Sequence, residues 1–374
     1  MKVLVLGGTG AMGMSLVPLL KERGDSVYVT SRKQGAGYRG AAGGPGEIHY
    51  LTGNAHEDAF LRKILEPGYD AIVDFMAYGL EEFRQKADIF LASCGHYLFL
   101  SSSRVYAGSS TPLTEESPRL LDACEDPGYL KTSEYALDKA REEDILREKQ
   151  ARNYTIIRPY ITYNSNRLQL GCYEKEDWLY RALSGKTIVF TEDMAVRRTT
   201  LTYGEDVAAV VSRLIGNENA YGETFHIASD RSITWRDVLK IYLEAINDVT
   251  GKQVPVLWLE DSKRMETVLS RWQIRYDRMY DRTFDSSKAD KACKEEHKYT
   301  EAKEGLAACL KEFLADGEFK AINWGVQAYL DRLAHERADL TEIISRKQKF
   351  KYLICRYTPY LWVGNRIRCL KFGK

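Results

Sequence analysis

A glycine-rich turn near the start of the chain constrains the fold more than any other feature. Residues 3–13 read VLVLGGTGAMG, an apolar run followed by glycines and then by an amphipathic stretch. Such a pattern suits a strand, a tight turn and a helix whose free N–H groups face an anion. It therefore predicts a site for the pyrophosphate of a dinucleotide, with an ordinary strand-to-helix turn as the alternative. The predicted contacts are Gly7, Thr9, Gly10, Met12 and Gly13.

Apolar runs alternate with amphipathic stretches over the first 160 residues. The runs at 3–6, 26–30, 71–75, 97–100 and 155–157 have the continuous hydrophobicity of strands buried on both faces. Helical patterns at 12–23, 58–65, 81–94 and 131–149 lie between them. This alternation predicts an α/β fold, a Rossmann-type doubly wound parallel sheet built from βαβ crossovers.

The regularity weakens after Pro159. Mixed elements follow, among them a predicted helix near 178–183 and a predicted strand at 187–190. We expect a dinucleotide-binding domain of residues 1–160, with returning segments near 200–230. A smaller mixed α/β C-terminal substrate lobe would comprise mainly residues 161–330, and residues 331–374 would form a C-terminal extension.

Composition excludes several classes of protein. The 54 Lys and Arg nearly balance the 53 Asp and Glu, which argues against a dedicated nucleic-acid binder. The seven cysteines are scattered without Cys-x-x-Cys spacing, so neither a metal site nor a disulfide framework is expected. The sequence contains no run of 18 apolar residues and opens without a signal-peptide pattern. These features predict a cytoplasmic protein.

A candidate catalytic group lies between residues 100 and 140. Tyr135 and Lys139 are one helical turn apart, so they share a face of the predicted helix. A tyrosine can act as a general acid/base when a neighbouring ammonium stabilises its phenolate. The serines at 101–103 follow a predicted strand, where a hydroxyl can bond a reacting carbonyl oxygen. A chance Tyr-Lys pair and an ordinary serine-rich loop are the alternatives.

The end of the second predicted strand bears on the type of dinucleotide. Ser31 and Arg32 stand there, and no Asp or Glu is present to bond a ribose 2′-hydroxyl. Arg beside a small hydroxyl residue suits the 2′-phosphate of NADP. We therefore expect NADP(H) to be favoured over NAD(H), unless Arg32 is a solvated loop charge. Asn54 and Ala77 are further predicted cofactor contacts.

These segments together resemble the extended short-chain dehydrogenase/reductase superfamily, in the branch of NAD(P)-dependent epimerases and dehydratases of nucleotide sugars. The shared motifs keep the family's order over about residues 1–320. They are the glycine turn, Tyr135-x-x-x-Lys139, and the segments 70–77, 99–106, 157–159, 203–208, 224–228, 285–289 and 304–306. The resemblance implies that Ser102 is the catalytic hydroxyl residue, that Tyr135 is the acid/base, and that Lys139 assists it and holds the nicotinamide ribose. It also implies a homodimer.

Departures from the family pattern narrow the expected reaction. Family dehydratases carry acidic residues directly after the catalytic hydroxyl residue, whereas this chain has Ser103 and Arg104. Water elimination is therefore disfavoured, which leaves 4-epimerisation or reduction of a keto-sugar, with hydride transfer at C4 of a nucleotide sugar. The expected substrate contacts are Ser103, Arg104, Asn164, Arg197, Arg198 and Arg282, with salt bridges as the alternative for the later arginines.

The basic C-terminal segment, residues 346–374, lies outside the resemblance. It has nine basic and no acidic residues, interleaved with aromatic and branched side chains, whereas the first 345 residues carry a net charge of −8. Packing on the acidic body or on a partner subunit is the favoured interpretation. Contact with the inner face of an anionic membrane and nucleic-acid binding are the alternatives. A non-catalytic cofactor-sensing or RNA-associated protein on the same fold is the rival to an enzyme.

Overall fold

A seven-stranded parallel sheet forms the centre of the fold. The computed structural model describes residues 1–32 and 44–359. The sheet strands are β1 Lys2–Leu6, β2 Ser26–Ser31, β3 Glu47–Thr52, β4 Tyr69–Asp74, β5 Cys94–Leu100, β6 Tyr154–Pro159 and β7 Glu223–Ile227. They pair in the order β7-β6-β5-β4-β1-β2-β3, and every pair is parallel. The predicted α/β class and Rossmann-type doubly wound sheet are confirmed.

The longer helices of the described residues flank this sheet and build the C-terminal region. They are α1 Ala11–Glu22, α2 Asp58–Leu65, α3 Leu80–Ala92, α4 Tyr135–Arg147, α5 Lys175–Leu183, α6 Gly204–Leu214, α7 Trp235–Thr250, α8 Ala302–Asp316, α9 Trp324–Leu333 and α10 Arg346–Tyr357. Shorter helices span Leu120–Ala123, Pro127–Leu130, Glu192–Ala195, Arg271–Gln273 and Ser287–Cys293, and Ile274–Arg278 is a π-helix.

The alternating side chains of β1 show why both faces of the sheet are covered. Val3 and Val5 join an apolar cluster with Leu16 of α1, whereas Leu4 and Leu6 join a separate cluster on the other face. The second cluster includes residues of α2 and α3. These four side chains of β1 are fully buried, which explains the unbroken apolar run in the sequence.

The observed elements differ from the predicted ones in two places. β3 was not predicted because it is an edge strand with partly exposed residues, so its sequence lacks an apolar run. The helix predicted over 131–149 begins later, at Tyr135, because Pro127–Leu130 form a separate turn of helix. Glu134 then caps α4 by accepting the N–H of Ala136 at 2.8 Å. Tyr135 is consequently the first residue of the helix.

Three small sheets and a large apolar cluster organise the C-terminal region. The pairs are Thr162–Tyr163 with Thr202–Tyr203, Arg198–Thr199 with Ile233–Thr234, and Ile188–Thr191 with Val256–Leu259. The cluster joins residues from Val105 to Leu330, including Trp178 and Trp235. This confirms the mixed α/β character predicted for the region.

The start of the basic C-terminal segment packs on the body of the protein. In α10, Tyr352 and Cys355 are buried against Trp324 of α9. The Tyr352 hydroxyl donates to Asp331 Oδ2 at 2.6 Å and accepts the N–H of Ala338 at 2.7 Å. Residues 360–374 of the segment lie outside the described residues. None of the described helices has the length and apolar character of a membrane span.

A buried histidine predicts weakened folding in acid. His96 Nδ1 accepts the N–H of Gly216 at 3.0 Å, so its Nε2 carries the hydrogen and donates to Thr155 Oγ1 at 2.8 Å. Burial lowers the pKa of His96 to about 4. Between pH 6.5 and 4 the unfolded chain therefore binds a proton that the folded chain does not. In this range, we expect protonation of His96 in the unfolded chain to lower the free energy of unfolding by about 1.4 kcal/mol for each unit by which the pH falls.

The check is urea unfolding of the wild type and of His96→Gln at pH 7, 5.5 and 4.5. The variant should lose less stability than the wild type as the pH falls. His49→Gln, at a half-buried position on the edge strand β3, is the matched control and should keep the wild-type slope. Equal slopes for the wild type and His96→Gln would contradict the assignment.

Candidate active site

The glycine turn between β1 and α1 has a shape that accepts an anion. Gly7 has a φ of +69°, in the left-handed region that favours glycine, and its N–H donates to Thr30 Oγ1 at 3.0 Å. A Cβ on Gly13 would lie 2.1 Å from the carbonyl oxygen of Gly8, so only glycine lets α1 approach the turn. Thr9 and Gly10 are exposed. The first N–H groups of α1 can therefore bind a pyrophosphate.

The other predicted cofactor residues lie at the same edge of the sheet. Ser31 ends β2 in a buried position, and Arg32 is exposed directly after it. Asn54 follows β3 and accepts the N–H of His56 at 3.2 Å, while Ala77 is exposed after β4. Met12 is half-buried in the first turn of α1. Since the strands are parallel, their carboxyl ends form one crevice, the usual ligand position in such sheets.

Tyr135 and Lys139 occupy the first two turns of α4. Tyr135 is 42% exposed, and the guanidinium carbon of Arg104 lies 5.3 Å from its ring centre. Lys139 is only 4% exposed, with Nζ 2.9 Å from Glu142 Oε2 and 4.7 Å from the ring centre of Phe99. The side chain of Tyr135 is thus partly exposed to solvent, whereas the ammonium of Lys139 is buried.

Ser102 presents its hydroxyl at the end of β5. It caps the short 3-10 turn Ser103–Val105, where its Oγ accepts the N–H of Arg104 at 3.2 Å. No described residue accepts the hydrogen of this hydroxyl. Because α4 packs against the same turn, Ser102 and Tyr135 are held by neighbouring elements. This hydroxyl can donate a hydrogen bond to a ligand oxygen.

Two buried carboxyl groups near Lys139 were not singled out from the sequence. Glu142 is one helical turn beyond Lys139, and burial raises the pKa of its carboxyl despite the ammonium beside it. Asp74 ends β4, accepts the Tyr97 hydroxyl at 2.8 Å and the N–H of Met76 at 2.9 Å. Burial raises the pKa of Asp74 to about 6. The spacing of three residues between Lys139 and Glu142 was the sequence signal that could have identified their ion pair.

A second buried network joins the serine loop to α4. The Ser101 hydroxyl donates to Glu143 Oε1 at 2.6 Å, and Arg158 donates to both oxygens of Glu143 at 2.7 and 2.6 Å. The ring of Tyr106 lies 4.8 Å from the Arg158 guanidinium carbon. The loop that carries Ser102 and the helix that carries Tyr135 are therefore held in a fixed relation.

The two residues after Ser102 are committed to internal contacts. The Ser103 hydroxyl is buried and donates to the carbonyl oxygen of Arg158 at 2.7 Å. Arg104 donates to Glu134, and its Nε lies 3.7 Å from Asp277 Oδ2. The Ser103 hydroxyl therefore faces the interior. Arg104 is held by two carboxylates beside the ring of Tyr135.

Arg282 has a structural environment in place of the substrate contact expected from the sequence. It is fully buried and donates to Asp277 Oδ1 at 3.0 Å and to the carbonyl oxygens of Ala107, Tyr106 and Tyr276. Asp277 lies in the π-helix, an element often found near functional sites. Because its donors are used inside the protein, we leave Arg282 out of the proposed substrate site.

The remaining predicted substrate residues are dispersed. Arg198 donates to Ser232 Oγ at 2.9 Å on an exposed two-stranded sheet, whereas Arg197 is half-buried and its Nε has no hydrogen-bond partner among the described residues. Asn164 lines a separate cavity of about 640 Å³ between α1, α6 and α8. Among the described residues, no group of His, Cys, Asp and Glu could hold a metal ion.

The family assignment follows from the match of the whole sheet region. The model of the NAD dependent epimerase/dehydratase family matches residues 3–228, which include the glycine turn, the serine loop and α4. The chain belongs to this family. The resemblance stated from the motifs is therefore confirmed, and the protein is an enzyme of the short-chain dehydrogenase/reductase type.

Two curated relatives of this family member differ in function. The chain is 27% identical over 301 residues to the 2'-dehydrokanamycin reductase of Streptomyces kanamyceticus, covering 74% of this chain and 77% of the relative. It is 25% identical over 253 residues to the chloroplast stem-loop binding protein of 41 kDa b of Arabidopsis thaliana, covering 65% of this chain and 63% of the relative.

Solved structures of two other proteins share the fold. Bordetella bronchiseptica WbmH in complex with NAD+ has a TM-score of 0.63 at 17% identity, covering 85% of this chain and 99% of that chain. UDP-glucose 4-epimerase of Bifidobacterium longum, in complex with NAD+ and UDP, has a TM-score of 0.63 at 16% identity. The match covers 85% of this chain and 100% of the epimerase. At these identities the likeness supports the Rossmann-type fold alone.

Proposed function

We propose that the protein transfers a hydride between a nicotinamide dinucleotide and a sugar carbon. The proposal is supported by the position of Tyr135 and Lys139 on α4, which packs against the turn that Ser102 caps. The glycine turn supplies the pyrophosphate site at the same edge of the sheet. Family membership supports this class of chemistry.

The residues have distinct roles in the reductive direction. A nicotinamide dinucleotide held at the glycine turn would supply a hydride for the carbonyl carbon. The Ser102 hydroxyl orients the carbonyl oxygen, and the Tyr135 hydroxyl gives its proton to that oxygen as the alcohol forms. Lys139 holds the nicotinamide ribose and stabilises the phenolate that remains on Tyr135. In the oxidative direction the phenolate takes the proton back.

Reduction or epimerisation is favoured over 4,6-dehydration. Elimination of water needs an acid beside the catalytic hydroxyl residue, and Ser103 and Arg104 occupy those positions. Glu134, the carboxylate next to Tyr135, bonds Arg104, the N–H of Ala136 and the Tyr129 hydroxyl. Both of its oxygens are therefore used in internal hydrogen bonds.

The proposed substrate is a nucleotide-linked hexose that reacts at C4. One solved structure with the same fold is MoeE5 in complex with UDP-glucuronic acid and NAD, which supports a nucleotide sugar as substrate. The similarity to the reductase of Streptomyces kanamyceticus favours net reduction over epimerisation. The buried Nε of Arg197 is a donor free to bond an anionic oxygen. Arg198 remains a proposed contact, and residues 161–330 remain the proposed substrate lobe. Arg104 and Asn164 are left out, because Arg104 bonds Glu134 and Asn164 lines the separate cavity.

The reaction can be tested with the purified protein and a panel of nucleotide sugars and their 4-keto derivatives. Net reduction would consume NADPH or NADH and lower the absorbance of the reduced nicotinamide. Epimerisation would change the product's stereochemistry without net loss of reduced cofactor. Release of water with a 4-keto-6-deoxy product would contradict the proposal.

Cofactor choice is a separate prediction. We propose that NADP(H) binds more tightly than NAD(H), since Arg32 is exposed where the 2′-phosphate of the adenosine would lie. Arg32→Ala should weaken NADPH binding about tenfold and leave NADH binding nearly unchanged. Fluorescence titration of both reduced cofactors measures this. Equal NADPH affinity in the wild type and the variant would overturn the preference for NADP(H).

An RNA-associated role is the second candidate, favoured by the similarity to the chloroplast stem-loop binding protein. Tyr135→Phe separates the two, because an RNA-binding role does not need the phenol. A variant that keeps stem-loop RNA binding and the wild-type cellular role would support this candidate.

We also propose that the protein is a homodimer in the cytoplasm. Light scattering of the purified protein measures its mass and so tests the homodimer.

A further inference from the structure

Helix α10 presents two opposite faces. Tyr352 and Cys355 are buried on one face, against Trp324 and Ala328 of α9. Phe350, Leu353 and Tyr357 are three and seven residues apart, so they align along the other face. They are exposed, Phe350 by 66% and Tyr357 by 62%. We call these three residues, with Ile344 just before the helix, the outer ridge.

Basic side chains flank the outer ridge. Arg346 and Lys347 are exposed in the first turn of α10, and Lys351 is exposed in the next. Arg356 is anchored by a hydrogen bond from its Nε to the carbonyl oxygen of Glu336 at 3.0 Å. The segment from residue 346 onward has no acidic residue, while the first 345 residues carry a net charge of −8. Positive charge is therefore concentrated at this end of the chain.

We propose that the outer ridge and its flanking cations bind the surface of an anionic lipid bilayer. The apolar side chains would enter the boundary between headgroups and acyl chains, and the cations would lie at the lipid phosphates. The aliphatic members favour lipid over RNA, because RNA recognition uses stacking on aromatic rings. Ile344 is 95% exposed and has no stacking surface.

The buried face of α10 fixes the orientation of the outer ridge. The Tyr352 hydroxyl bonds Asp331 and the backbone of Ala338, so the orientation of the helix is fixed before any lipid is met. An interfacial helix that is ordered in advance does not lose conformational entropy on binding. This proposal is independent of the proposed hydride transfer, since it uses none of the residues of the crevice.

Sedimentation with vesicles tests the proposal on the full-length protein. The wild type should bind vesicles of phosphatidylcholine and phosphatidylglycerol in equal parts, and release as salt is raised. It should bind pure phosphatidylcholine at least about tenfold more weakly. Phe350→Ser/Leu353→Ser/Tyr357→Ser and, separately, Arg346→Glu/Lys347→Glu should each reduce binding to the anionic vesicles about tenfold or more.

Controls separate lipid binding from loss of structure and from other partners. Val249→Ser changes an exposed apolar side chain on α7 and should leave vesicle binding unchanged. The ridge and charge variants should keep the thermal unfolding midpoint of the wild type. The proposal is overturned if the wild type does not bind anionic vesicles, or if the ridge variant binds them as the wild type does. Binding of RNA in place of vesicles, or conversion of a dimer to a monomer by the ridge variant without vesicle binding, would also overturn it.

Discussion

Replacement of Tyr135 by phenylalanine should reduce turnover by roughly a hundred- to ten-thousandfold, the usual contribution of a general acid/base. The ring would still fill its place on α4, beside the guanidinium of Arg104. The glycine turn and Arg32 would be untouched, so cofactor affinity should stay within about twofold of the wild type. The loss should appear in kcat, because the missing proton transfer affects the transition state.

The measurement is the rate of cofactor oxidation on the keto-sugar that the substrate panel identifies, together with a cofactor titration of the same preparation. Tyr221→Phe removes a hydroxyl from another partly exposed tyrosine, whose ring lies 4.4 Å from that of His96 in a tilted contact, and should retain wild-type turnover. Wild-type turnover in Tyr135→Phe would contradict the proposed role.

Replacement of Asp277 by asparagine should destabilise the protein by about 3–5 kcal/mol, because it leaves buried guanidinium groups without their counter-charge. Arg278, Arg282 and Arg104 surround this carboxylate, and Tyr160 donates to it at 3.1 Å. Burial opposes its ionisation, yet the three guanidinium groups hold the pKa of Asp277 below its usual range. The carboxylate is therefore charged at neutral pH, and the whole loss of stability is expected at that pH.

Urea unfolding at pH 7 measures the effect. Asp281→Asn is the matched control: Asp281 is an exposed carboxylate four residues away that accepts the N–H of Arg198 at 2.8 Å. It should cost no more than about 1 kcal/mol. A similar cost for both variants would show that the arginine cluster does not depend on Asp277.

The sequence predicted the parts of the site that depend on local geometry. Gly7, Gly10 and Gly13 required only the order of a strand, a turn and a helix. Tyr135 and Lys139 required only the spacing of one helical turn. Their neighbours in space come from other elements, and pattern analysis has no access to such distances. Arg104 beside Tyr135 is an example.

The parts that could not be predicted depend on long-range charge pairing. Arg282 was expected to bind substrate because arginines suit a diphosphate, but Asp277 and three backbone carbonyl groups use its donors. Asp277 itself lies in a π-helix, whose spacing differs from the 3.6-residue period used to find helices. The buried Glu143–Arg158 pair likewise joins residues of α4 and β6.

Within the basic C-terminal segment, the aromatic residues of α10 lie on two different faces of the helix. The segment's interleaved aromatic and basic residues favoured packing on the body or on a partner subunit, with contact with a membrane as an alternative. In α10 the side chains divide by position, with Tyr352 buried and Phe350 and Tyr357 exposed. Composition does not reveal this division, because it depends on which face of the helix meets α9.

Calorimetric titration of the wild type and of Gly13→Val with NADPH and NADH tests whether a dinucleotide occupies the glycine turn. We expect one cofactor per chain for the wild type. Gly13→Val should weaken binding at least about a hundredfold in a protein that remains folded by circular dichroism, because its Cβ would collide with the Gly8 carbonyl oxygen. Failure of the folded wild type to bind either cofactor, or unchanged affinity in Gly13→Val, would contradict the dinucleotide site on which the proposed hydride transfer rests.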